Sequence, residues 1–448
     1  MSTSPPRSSP RDEGLVRAIG VSGLAATTFN IMIGGGIFVL PAVAAAALGA
    51  RAPLAYLVCA LAMSLVLICF AESGSRVSLT GGPYAYVTLA FGPFAGFLSG
   101  VLLWVMAVFA VAAVASALAG SSAVLWPALA QPIPRALLLV AVIGLVTAIN
   151  VRGVRGGARL VEWLAVVKLL PLFLFVIAGA VVAHAALSPA APQAGGDLGR
   201  TVVVLIFAFA GSESALVPSG EVRDPSRTVP RALGIAMLTV MLLYIAVQVV
   251  AQRVLGVSAL AAATDAPLSA AAARIAGPLG AGIIAVAAVL SMFGNVSGMT
   301  LATPRALYAF GRDGFVPVGS RALARIHETY RTPHVAIIVQ GVVVCALAVS
   351  SGFVALAVLA NVAVLTLYIV CCAATIQLRR RDVRQAGMPF RVPGGAIVPY
   401  LAIVVLVWIL WHATARELLV VLALLVVAGL MFLFTATARR AAQQAVAP

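Results

Sequence analysis

Lysine is almost missing from this chain. It has 448 residues and 29 basic side chains, and Lys168 is the sole lysine. Acids are scarce too: 13 Asp and Glu, with all charged residues together at 9%. A soluble domain carries roughly 25% charged residues, so an ordinary water-facing surface is excluded. The four histidines (His184, His327, His334, His412) make no pair at metal-binding helical spacing. No Gly-x-x-x-x-Gly-Lys-Ser/Thr run exists, since Lys168 is followed by Leu169, and ATP hydrolysis by this chain is not expected. No nucleophile–base arrangement appears either, so neither an enzyme nor a cofactor is expected. Cys59, Cys69, Cys345, Cys371 and Cys372 all fall inside apolar runs. They read as small buried hydrophobes, with no disulfide framework.

What is there is hydrocarbon. Hydrophobic residues make up 62% of the chain, and the mean hydropathy is +1.11. A spanning helix needs about 20 mostly apolar residues. Twelve runs qualify: 18–47, 52–72, 84–118, 134–151, 159–186, 200–221, 231–255, 277–310, 333–350, 353–378, 397–415 and 417–438. The third and eighth are long enough to include tilted or surface portions. The expected fold is therefore an all-α polytopic membrane protein with twelve transmembrane helices. Residues 1–17, rich in Ser, Pro and Arg, lack the apolar core of a secretory signal. They read as a disordered cytoplasmic tail, and 439–448 as a second one.

The net charge of +16 would suggest nucleic acid in a soluble protein. Here the arginines lie in short segments between apolar spans, so no nucleic acid partner is expected. With both termini inside, 22 arginines fall on inner segments and six on outer ones. That is the bias of a chain with cytoplasmic termini. Use of Ala, and of Arg over Lys, fits a GC-rich bacterial genome, so the expected location is the cell (inner) membrane.

Two spans contain poor helix material. The first holds Gly34-Gly35-Gly36, followed by Pro41, and the sixth holds Gly211-Ser212-Glu213-Ser214, followed by Pro218. Each glycine costs about 1 kcal/mol in a helix relative to Ala. In both spans glycine precedes proline by seven residues, Gly34 to Pro41 and Gly211 to Pro218. The two spans are five helices apart, which inverts the second unit. The pattern predicts two inverted five-helix repeats, 18–186 and 200–378, plus two extra helices in 397–438, with helices 1 and 6 discontinuous. Paired breaks of this kind point to a transporter's binding site. Freed N–H groups at a half-helix start bind a carboxylate. Freed carbonyls at the other half's end bind an ammonium or a metal cation, and an α-amino acid carries both a carboxylate and an ammonium. Gly211 lies eleven residues past Arg200, about 16 Å along a helix and so near mid-membrane. The competing interpretation is that these glycines only let helices pack closely.

Three stretches resemble the amino acid–polyamine–organocation superfamily: Ile33 to Pro41 (IGGGIFVLP), Phe207 to Pro230 (FAFAGSESALVPSGEVRDPSRTVP) and Thr303 to Pro317 (TPRALYAFGRDGFVP). Gly81 to Tyr86 (GGPYAY) fits the loop before helix three. The resemblance implies a five-plus-five inverted-repeat fold and alternating access. It implies that the substrate carboxylate meets the amides of Gly35, Gly36 and Ile37, and the amino group the carbonyls of Met32, Phe207 and Ala210. Gly34, Gly211 and Ser214 complete that candidate site, and Glu213 just past the break would couple or gate. The chain is similar to the arginine/agmatine antiporters in helix six. Where those place a tryptophan against the guanidinium, it has Met299. The missing cation–π platform tilts the expectation towards neutral substrates.

Charged groups at membrane depth default to functional hypotheses. Glu213 is the acid placed clearly mid-membrane. Lys168 lies nine residues past Arg159, about 13–14 Å along the helix, beyond the roughly 6 Å reach of its own stem. A buried amine can release its proton, whereas a guanidinium stays charged. The resemblance implies that Lys168 stands where several proton-dependent members keep a lysine in place of a sodium ion. The expected function is proton-coupled uptake of neutral amino acids by secondary active transport. The runner-up is an exchanger of amino acids or polyamines. A channel would need a continuous polar stripe, and an amino-acid-sensing receptor a sizeable soluble output domain. Neither is visible in the sequence.

Overall fold

A chain this apolar must satisfy its backbone N–H and C=O groups along itself, and helices do so. In the computed structural model, residues 19–77, 82–152, 158–183, 196–216, 222–316, 319–385, 388–392 and 394–435 are described, with the backbone alone for 158–167 and 214. The two expected tails lie outside these residues. The first half comprises α1 (Val21–Met32), α2 (Gly36–Leu48), α3 (Ala52–Arg76), α4 (Pro83–Phe91), α5 (Pro93–Leu125), α6 (Pro132–Arg152) and α7 (Ala158–Ala183). Next come α8 (Leu198–Phe209), α9 (Ser212–Ala215), α10 (Pro225–Leu255), α11 (Val257–Ala262), α12 (Pro267–Ala302), α13 (Pro304–Arg312) and α14 (Ser320–Leu323). The chain finishes with α15 (His334–Ser350), α16 (Phe353–Arg380), α17 (Ile397–Trp411) and α18 (Ala415–Phe434).

Among the described residues there is no strand, only an isolated parallel bridge between Ile19 and Val222. It ties the segment entering α1 to the segment entering α10. Seven helical stretches of the described chain are long and apolar enough to cross a membrane, Pro93–Leu125 and Phe353–Arg380 among them. Val21–Met32, Leu198–Phe209, His334–Ser350 and Ile397–Trp411 are shorter apolar helices.

Depth within the bundle follows the sequence. The α5 and α16 helices pack on each other, and α5 also packs on α12. Their small residues, such as Ala112, Ala115, Ala360 and Ala363, are buried and allow close approach. The α6 and α18 helices instead turn Ile133, Leu137, Leu430 and Leu433 outward. An apolar side chain facing out of such a bundle meets lipid at no cost.

Two of the long apolar runs divide. The third run becomes α4 and α5, because Gly92 adopts φ +92° and Pro93 starts a new helix. The eighth run becomes α12 and α13, because Pro304 starts a new helix after Thr303, and at the beginning of that run α12 itself leaves helical angles at Ala276 and Gly277. Positive φ at these two glycines is what other residues would resist.

One ion cluster ties helix ends that the bundle leaves polar. Glu72 is fully buried; its Oε1 accepts from Arg76 Nε and Arg379 Nε, each at 3.0 Å. The Val392 N–H also reaches Glu72, at 3.4 Å. The end of α3 is thereby clamped to the end of α16 and to the segment that follows it. Such pairing offsets the cost of taking a carboxylate out of water.

Candidate functional site

The α1 helix stops because its next residues cannot continue it. Ile33 takes φ −83°, ψ 77°, and the chain resumes helical angles only at Gly35. The opening amides of α2, those of Gly35, Gly36 and Ile37, have no acceptor further back in their own helix. The α8 helix ends the same way. Ala210 is extended at ψ 163°, and Gly211 sits at φ +114°, where only glycine is comfortable. In a continuous helix the Gly211 N–H would bond the Phe207 carbonyl. It goes instead to Glu213 Oε2 at 3.0 Å, so the Phe207 carbonyl loses its helical partner.

The two breaks face one cavity of about 40 Å³. On the same measure a water needs about 10–15 Å³, so the space suits a few waters or a small solute. Met32, Gly34, Gly35, Gly36, Phe207, Ala210, Gly211 and Met299 all line it. Thus the sequence-derived set is largely brought together. Ile37 is fully buried and is not among the residues that line the cavity. The side chain of Ser214 lies outside the described residues. Asn295 and Asn361 also line the cavity, as do Met106 and Val114 of α5. Sequence reasoning missed all four. The two asparagines left a usable signal, a lone amide in an apolar span, but only ionisable groups had been weighed there.

Packing explains why glycine occupies these positions, and it separates them. A Cβ on Gly36 would lie 3.0 Å from Ala208 Cα and 3.2 Å from its Cβ. That is inside the roughly 3.5–4.0 Å of ordinary carbon contact. Gly36 therefore lets the start of α2 touch the end of α8, which brings the two breaks together. A Cβ on Gly35 would meet Ala117 Cβ at 3.4 Å and Val114 at 3.6 Å, close to normal contact. On Gly211 it would press Ile31 Cγ2 at 2.7 Å, besides straining the positive φ.

The carbonyl end of α1 is dressed by side chains from three other helices. Lys168 Nζ donates to Asn30 O at 2.9 Å and Ile33 O at 3.4 Å. Ser291 Oγ also donates to Ile33 O, at 3.0 Å. Asn295 Nδ2 reaches Ile31 O at 2.9 Å and Tyr244 OH reaches Met32 O at 3.2 Å. The Met32 carbonyl, expected to serve a ligand, also accepts from the Gly34 N–H at 3.0 Å, so both of its lone pairs are taken. The carbonyl of Ile31, a residue lining the cavity, accepts only from Asn295 among the described residues and keeps one lone pair. Lys168 is 3% exposed and lies beside Gly294 of α12. Among the described residues no carboxylate pairs with it, and its hydrogen-bond partners are the two backbone carbonyls. Glu213 is fully buried and folds back on its own break. Tyr368 OH donates to the same Oε2 at 2.5 Å, while Oε1 meets no donor among the described residues. An amide-rich end, a carbonyl-rich end and an apolar wall between them can hold a small zwitterion.

The model of the amino acid permease family matches residues 19–447. The chain is 32% identical over 385 residues to an uncharacterized transporter of Mycobacterium tuberculosis, covering 82% of each protein. It is 28% identical over 411 residues to the branched-chain amino acid permease BcaP of Bacillus subtilis, covering 88% of this chain and 87% of that one. Against the serine/threonine exchanger SteT of the same organism it is 25% identical over 399 residues, covering 88% and 90%. With a transporter's family model spanning nearly its whole length and apolar helices throughout, the chain belongs to the amino acid permease family, as a multi-pass membrane transporter of the amino acid–polyamine–organocation superfamily and not an enzyme.

Proposed function

We propose that this permease imports neutral amino acids together with protons by alternating access. The observation that carries the reading is the cavity shared by the two helix breaks, with orphan amides at one end and a released carbonyl at the other. The substrate carboxylate takes the amides of Gly35, Gly36 and Ile37. The ammonium takes the carbonyls of Phe207 and Ala210 and the remaining lone pair of Ile31, since both lone pairs of the expected Met32 carbonyl are occupied. Met299, Met106 and Val114 form the wall against its side chain. No acid is among the residues lining the cavity, and Phe207 is its aromatic lining residue; the lack of a carboxylate disfavours a guanidinium or a polyamine. BcaP and SteT are named for neutral amino acids that differ from one another. They support the class and leave the side chain open.

In this reading α1 with α2, and α8 with α9, are each one interrupted crossing, and the chain crosses twelve times. Residues 18–186 and 200–378 form the inverted repeats, and 397–438 adds two helices. Both termini are cytoplasmic and the membrane is the cell membrane, by the arginine bias. Lys168 carries the coupling proton, and Glu213 with Tyr368 holds the second break as a gate. The test is uptake of a labelled amino acid panel into proteoliposomes, with and without an inward proton gradient. We expect alanine, serine, threonine and valine among the transported species, at least tenfold above arginine. Arginine transported as well as alanine would overturn the neutral assignment, and no uptake of any amino acid would overturn the substrate class.

A further inference from the structure

Asn361 sits about a third of the way along α16, between Ala360 and Val362, in a helix that is otherwise apolar there. It is 1% exposed and lines the cavity. Its Nδ2 donates twice to α8, to Val203 O at 2.7 Å and to Val204 O at 3.0 Å. Both partners are backbone carbonyls, which can only accept, so the end of the amide facing them must be the NH2. The opposite end, Oδ1, is then fixed in direction. No protein donor reaches it among the described residues.

A buried amide oxygen without a donor is costly. Water can serve it in a resting cavity. A substrate that displaces the water must replace that bond or lose affinity. The question is which substrate group replaces it. An ammonium has three N–H donors, and the proposed site already offers it the carbonyls of Phe207, Ala210 and Ile31. The remaining donor of a neutral amino acid is a side-chain hydroxyl.

Resting on the reading of the cavity as an amino acid site, we propose that Asn361 Oδ1 selects substrates with a small side-chain hydroxyl, the serine and threonine class. The Nδ2 bonds to α8 fix the selector in place, and the apolar wall beside it excludes longer polar groups. Threonine and valine have nearly the same shape, so the wall and the volume treat them alike. The discrimination between them reads Oδ1 alone.

The experiment is competition by unlabelled threonine and valine against labelled serine in proteoliposomes of the full-length protein. In the wild type we expect threonine to compete at least tenfold better than valine. In Asn361→Leu, similar in size but without the acceptor, the ratio should fall to within about twofold, mainly because threonine weakens. Equal competition in the wild type overturns the proposal without reference to any variant. A wild-type preference for threonine that persists in a transporting Asn361→Leu protein overturns it too. If Asn361→Leu does not fold because α8 loses its two bonds, Asn361→Ser supplies a shorter group in the same helix, and threonine should lose its advantage there as well. Equal weakening of serine, threonine and valine in a folded variant would mean that Oδ1 takes the ammonium, which also overturns it. Failure of every amino acid to compete would instead be failure of the cavity's assignment.

Discussion

Lys168→Ala is expected to accumulate no substrate under an inward proton gradient, falling to the level seen without a gradient, and Lys168→Arg is expected to fail as well. The reason is the way the amine is held. Its contacts are the Asn30 and Ile33 carbonyls at the broken end of α1, with α12 packed beside it at Gly294. Those carbonyls are fixed in place only while the break keeps this geometry. Tilting α1 away removes the partners of the ammonium, and a buried amine without partners gives up its proton. Protonation and the conformation shown by this structure thus favour each other. If substrate also favours that conformation, linkage requires proton and substrate to raise each other's affinity. Wild-type substrate affinity should therefore weaken as pH rises, while Lys168→Ala should bind with the same affinity across that range. A guanidinium at the position keeps its charge and locks the cycle. Uptake and equilibrium binding in wild type and both variants measure this. Wild-type accumulation by Lys168→Ala would move the proton elsewhere, and Glu213 beneath the second break is the next group to test.

The second large effect is at Gly36. Gly36→Val should lose substrate binding by about a hundredfold or more, whereas Gly35→Ala should stay within about tenfold of the wild type. Any side chain at Gly36 drives into the Ala208 backbone. Backbone cannot rotate aside as a side-chain tip can, so α2 and α8 must separate. Overpacking of this kind costs about 1–3 kcal/mol. A shift of about 1 Å in the binding groups costs about a hundredfold besides. Gly35 projects towards Ala117 and Val114 of α5 with room for one carbon. Calorimetric titration of purified protein with alanine or serine separates the two, with thermal unfolding in detergent as the check on folding. Binding retained by Gly36→Val would mean that the two breaks need not touch, and that this cavity is not where the substrate sits.

The breaks themselves were legible because they are written in backbone chemistry. Three successive glycines, or a Gly-Ser-Glu-Ser run before proline, cannot pass for ordinary helix in a span of Leu, Val and Ala. Lys168 was legible for a similar reason: one ammonium in 448 residues is a strong signal. What the sequence hid was neutral and three-dimensional. Tyr244, Ser291 and Asn295 cap the carbonyls of α1 from helices more than 200 residues away in sequence. Tyr368 reaches Glu213 from α16. No spacing rule links such residues, and an asparagine or tyrosine in an apolar run carries no charge to mark it. The division of α4 from α5 at Gly92 was hidden as well, because a glycine within a long apolar run shows its positive φ only once the chain is folded. The distinction between Gly35 and Gly36 is finer still. It depends on which of two adjacent Cα–H bonds points at Ala208.

In the proposed cycle substrate and proton cross together through the cavity between the breaks. The most direct measurement is internal pH in proteoliposomes loaded with a pH-sensitive dye, with no gradient imposed at the start. Adding a neutral amino acid outside should acidify the lumen, at a rate that saturates with its concentration, and should do nothing in liposomes carrying Lys168→Ala. Entry of labelled amino acid with no change in internal pH would contradict proton coupling and with it the role given to Lys168.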